Sequence, residues 1–97
     1  MRLRQPEKDK MQKLNRDLMN QIPTRVAATS TMAVIDRLQD MPVEVQLIAL
    51  TAAYKLMVER FGIDGHDVFA VADNIMHHAD GRRVEFVAIA DYLRNEL

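Results

Sequence analysis

Four side chains able to bind a metal follow one another late in the sequence: His66, Asp73, His77 and Asp80, at spacings of 7, 4 and 3. On a helix those steps return to one face, and two imidazoles with two carboxylates suit a divalent transition metal. A single helix, however, seldom closes a coordination shell, which is normally built from facing helices with supporting hydrogen bonds behind the ligands. The remaining histidine, His78, points toward a flank, and the chain has no cysteine. The four residues also lie opposite the apolar side of their own helix, where any amphipathic helix carries its polar groups. The sequence favours a solvated face over a metal site, and no cofactor is expected.

Other catalytic chemistry has less to stand on. Ser30 is the only serine, and neither a paired-carboxylate nor a triad pattern is present. Gly62, Gly65 and Gly81 are isolated, so no glycine-rich loop exists to cradle a phosphate. No catalytic residue is assigned, and the chain reads as non-enzymatic.

Charge offers a second kind of site. Residues 1–25 carry seven basic groups (Arg2, Arg4, Lys8, Lys10, Lys13, Arg16 and Arg25) against Glu7, Asp9 and Asp17, a net of +4. The remainder has six basic and eleven acidic side chains, a net of −5, so the overall charge of −1 conceals an asymmetry. A basic arm can hold nucleic acid through its phosphates, with Arg2, Arg4, Lys8, Lys10, Lys13 and Arg16 as the contacts. The mixed signs and the lack of interleaved aromatic residues make that footprint weak. The sequence favours an arm lying across the acidic body of its own or a neighbouring subunit. A DNA-reading helix pair around the turn ADGRR fares worse: Arg82 and Arg83 could touch phosphate, but Glu85, Asp91 and Glu96 on the next helix would repel it.

The elements that must position any of these groups are helices. Pro42 to Gly62 dominates the chain. On a helix, Glu44, Thr51, Lys55 and Glu59 share one narrow sector, while Val43, Val45, Leu47, Ile48, Leu50, Leu56, Met57, Val58 and Phe61 cover most of the rest. A helix apolar nearly all round must be covered on several sides, so a central, mostly buried helix over about 42–61 is expected. On that reading aspartate at Leu50 or Leu56 abolishes folding. Pro42 suits its start, Glu44 complements its positive end, and Gly62 can close it in the left-handed region. Glu44, Gln46, Thr51 and Lys55 interrupt the apolar run, which is shorter than the roughly 20 residues a bilayer requires.

Around it, Met11, Leu14, Leu18 and Ile22 recur at spacings of 3, 4 and 4, which predicts a narrow-seamed helix from Glu7 to about Gln21. These four are the candidate interaction residues, and the segment is either a peripheral arm or the first helix of a bundle. Pro23 ends it. The stretch from Thr24 to Met41 is ambiguous, one helix or a shorter one from about Thr31 to Gln39, and a turn at Asp40 and Met41 follows. Asp64 caps a fourth helix to about Ala79, burying Val68, Ala72, Ile75, Met76 and Ala79, with Gly81 closing it. The last segment, VEFVAIADYLRNEL, sets Phe86, Ile89, Ala90, Leu93 and Leu97 on one side; its continuous helical spacing outweighs the β-propensity of RRVEFVAI.

The sum is a single all-α domain over 1–97, a compact bundle of four to five helices with 1–22 as a basic N-terminal arm. Nothing in the first 30 residues resembles the apolar core of a secretory signal, so a cytoplasmic protein is expected, with no membrane partner. If the shorter helices cannot cover the central one, a second copy or another protein must supply the rest. The expectation is an interaction module, a regulatory or assembly accessory that works as a homodimer. Its size and simplicity fit a phage or bacterial accessory protein. Nucleic-acid binding through the arm is the alternative.

Overall fold

The computed structural model describes residues 15–96. Helix accounts for 78% of the structure and the two strands are two residues each, so the fold is all-α. Five helices lie among the described residues: α1 (Arg16–Asn20), α2 (Thr24–Leu38), α3 (Val43–Phe61), α4 (Gly65–Met76) and α5 (Val84–Glu96). Between the last two sits a minimal hairpin, β1 (His77–His78) and β2 (Gly81–Arg82), antiparallel with His77 opposite Arg82 and His78 opposite Gly81.

Local chemistry explains most boundaries. Asn15 is extended, and its side chain accepts from the Leu18 amide at 3.1 Å, which makes it the cap of α1. Of the helix expected from Glu7 to about Gln21, residues 7–14 lie outside the described residues; at Asn15 the backbone is extended and the helix begins at Arg16, because a short amide side chain competes with the helical backbone for hydrogen bonds. The ambiguous second segment is one helix: Thr31 donates its hydroxyl to the Ala27 carbonyl at 2.8 Å, so the Thr-Ser-Thr cluster is accommodated without a break. Pro42 precedes α3, Glu44 lies in its first turn, and Gly62 closes it at φ +66°, donating to the Val58 carbonyl at 2.9 Å. Asp64 caps α4 by accepting from the His66 amide at 2.8 Å.

The fourth helix ends three residues earlier than expected, at Met76. His77 is already extended, and the Arg83 amide donates to the Met76 carbonyl at 2.8 Å, fastening the far side of the hairpin to the helix end. Ala79, expected among the buried residues of this helix, stands exposed in the turn.

The buried core is small. Ala28 and Ile35 of α2 meet Phe86 and Ile89 of α5, with Met32, Ile75, Met76, Tyr92 and Leu93 half-buried around them. Val71 of α4 is the most buried of all. Tyr92 donates its hydroxyl to Gln39 Oε1 at 3.0 Å, tying α5 to the end of α2. Helix α2 packs on α5 and α4, and α1 packs on α4.

The central expectation about packing is corrected here. Helix α3 forms where the sequence places it, but it is not the mostly buried centre of the bundle: none of its residues is buried. Leu47, Ile48 and Leu56 are 68, 70 and 64% exposed. The physical reason lies in the other helices. They are shorter, each has one apolar stripe, and those stripes are taken up by α2, α4 and α5 packing on one another.

Candidate functional site

The uncovered surface of α3 is the most distinctive feature of the molecule, and it is held out by a specific anchor. Tyr54 stacks on Phe69 of α4 with ring centroids 5.2 Å apart, and its hydroxyl donates to the Gly65 carbonyl at 2.7 Å. Gly65 is what permits the approach, since a Cβ there would stand 2.8 Å from the Tyr54 hydroxyl oxygen. Val58 and Phe61, on the same side as Tyr54, are half-buried. Helix α3 is thus pinned through its C-terminal half. Its N-terminal half, with Val43, Val45, Leu47 and Ile48, stands exposed.

The side turned away from Tyr54 has its own order. Val45 lies nine residues before Tyr54, a rotation of roughly 180°. From it, Val45, Ala49, Ala52 and Leu56 follow at spacings of 4, 3 and 4, an apolar seam with alanine at its middle and larger residues at its ends. Ala49 is half-buried; the other three are exposed, as is Ile48 beside them. Along one border of the seam run Glu44, Lys55 and Glu59, all exposed. A monomeric protein rarely leaves a contiguous apolar patch of more than a few hundred Å² to water, and such patches mark contact surfaces.

The arm residues are only partly in view. Met11 and Leu14 lie outside the described residues, as do Arg2, Arg4, Lys8, Lys10 and Lys13. Leu18 and Ile22 are exposed, so neither is inserted in a core. Arg16 reaches Asp67 at the start of α4, with 3.6 Å between its guanidinium nitrogen and the carboxylate. Both side chains are about half exposed.

The histidine and aspartate series does not assemble. Because α4 stops at Met76, His66 and Asp73 are on the helix while His77 and Asp80 belong to the hairpin, and the common face is lost. Among the described residues no three His, Asp or Glu side chains are grouped as metal ligands. The histidines serve the turn instead: His77 Nδ1 donates to the Asp73 carbonyl at 3.0 Å, and His78 Nδ1 accepts from the Asp80 amide at 3.0 Å.

One open groove of about 390 Å³ runs between α2 and α5, lined by Ala28, Met32, Ile89 and Tyr92 with Arg25 and Glu85 at its edge. Its polar groups, Arg25, Thr29, Glu85 and the Tyr92 hydroxyl, are none of them buried. No described helix is long and apolar enough to cross a membrane. No family model matches the chain, and neither does any curated protein or solved structure.

Proposed function

We propose that this chain is a small, non-enzymatic protein-interaction module, a regulatory or assembly accessory protein that acts as a homodimer through α3. The observation that carries this reading is the exposure of the apolar residues of α3, from Val43 to Met57, on a helix that starts after Pro42 and is closed by Gly62. Fully burying a Leu, Ile, Val or Met side chain contributes about 1.5–3 kcal/mol. Only one side of the helix can meet a partner, and half-burial of Val45, Ile48 and Leu56 in each of two copies would give gross stabilisation of about 5–9 kcal/mol, within the 4–15 kcal/mol that association costs. Met57, an adaptable thioether, is among these exposed residues.

Sedimentation equilibrium across the micromolar range tests the reading. The expected result is a species of twice the 11.1 kDa chain mass at the upper concentrations, lost when Leu56 is replaced by Asp. Monomer mass throughout would overturn self-association.

A further inference from the structure

Resting on the homodimer reading, we infer that the second copy lies antiparallel along α3, about a two-fold axis passing between the levels of Leu50 and Thr51. In this register Val45 meets the partner's Leu56 and Ala49 meets the partner's Ala52. Three features of α3 point to it.

The first is the symmetry of the seam. Its spacing of 4, 3 and 4 reads the same from either end, and its order is large, small, small, large. A two-fold axis makes a surface face itself, so an isologous contact needs a patch that survives reversal. The alanines at the crossing let the two helix axes approach to about 8 Å, the close end of the usual range.

The second is charge. Glu44 and Lys55 stand eleven residues apart, just over three whole turns, so both border the seam on the same side. Neither has an ion-pair partner among the described residues. Antiparallel helices set like borders against each other, and Glu44 then comes within about 3 Å, measured along the axis, of the level of the partner's Lys55. The two-fold repeats this pair at the other end. A parallel pair would set the border against the opposite one, where Gln46 and Ala53 stand, and leave both charges unmatched.

The third is the helix dipole. Glu59, near the C-terminal end of α3 and exposed, arrives level with the partner's Pro42, where the first free amides carry partial positive charge.

Disulfide trapping tests this directly, because a chain without cysteine forms only the links introduced into it. Val45→Cys mixed with Leu56→Cys under mild oxidation should give the mixed disulfide. Val45→Cys alone should remain unlinked, since the two copies of residue 45 would be about 16 Å apart, far beyond disulfide reach. A ready Val45→Cys homodisulfide would show parallel pairing and overturn the register while leaving the homodimer intact. A dimer by sedimentation with neither link would overturn the α3 contact; monomer mass would remove the homodimer reading itself. Charge reversal supplies a second readout on exposed positions. Glu44→Lys and Lys55→Glu should each weaken dimerisation about three- to tenfold, and the double variant should restore it to within about twofold. Additive weakening in the double variant would overturn the pairing.

Discussion

Helices α3 and α5 teach opposite lessons from similar material. Both are rich in apolar residues, and α3 has more of them. Yet α5 supplies Phe86 and Ile89 to the core, at 5 and 8% exposure, while α3 supplies nothing buried. In α5 the apolar residues repeat on one stripe, and a stripe can be covered by a single neighbour, α2. In α3 they surround the helix, and the other described helices leave no set of neighbours to enclose it. Burial follows from whether a surface can be matched, not from how apolar it is.

The sharpest way to break that contrast is to truncate an equivalent residue in each helix. Phe86→Ala should cost about 3–5 kcal/mol, a large part of the roughly 5–15 kcal/mol that stabilises a domain. The thermal transition should fall steeply or vanish. Leu47→Ala, in the exposed part of α3, should leave the melting of the dilute protein within about 0.5 kcal/mol of the parent. Equal losses would show that α3 is a core helix after all.

Next in size are the aspartate substitutions on α3. The sequence alone predicts that Leu50→Asp and Leu56→Asp unfold the protein, and the exposure of both side chains reverses that expectation. Each should retain helical circular dichroism; Leu56→Asp, in the seam, should weaken self-association at least tenfold, or about 1.4 kcal/mol, read from the dissociation constant, whereas Leu50→Asp, roughly 130° round the helix from the seam, should leave it nearly unchanged. Lost helicity in dilute solution would restore the buried reading.

Smaller effects separate the two helices by their hydrogen bonds. Tyr92→Phe removes the bond from α5 to Gln39, and Tyr54→Phe removes the bond from α3 to the Gly65 carbonyl. Each should cost about 1 kcal/mol. The first should lower global stability measured by denaturant, whereas the second should mainly raise amide exchange in α3. Gly62→Ala, at φ +66°, should cost about 1 kcal/mol by straining the turn that sets the angle between α3 and α4.

The ends of α3 were legible in the sequence to the residue, because Pro42 and Gly62 act locally and need no partner to do so. The stripe of α5 was legible too: Phe86 and Ile89 are both in the core, with Ala90 and Leu93 half-buried beside them. Three things were not. The hairpin at His77–Arg82 is too short to show alternation, and its histidines continued a helical spacing by coincidence. Val71, the most buried residue, lies one position to the side of the stripe that the spacing of Val68, Ala72 and Ile75 predicts. The cover over α3 could not be read because it depends on how much apolar area the other helices use on each other, a tertiary quantity with no local signature. For the candidate site, the polar border of α3 is visible in the sequence, but the exposure of the apolar residues beside it is not.

The central claim is that α3 is covered by a second copy rather than by its own chain. Amide hydrogen exchange, measured from well below to well above the dissociation constant, tests this most directly. Protection across residues 45–56 should rise with protein concentration while protection in α5 rises no more than global stabilisation by dimerisation requires. Exchange in α3 that is slow and independent of concentration would contradict it.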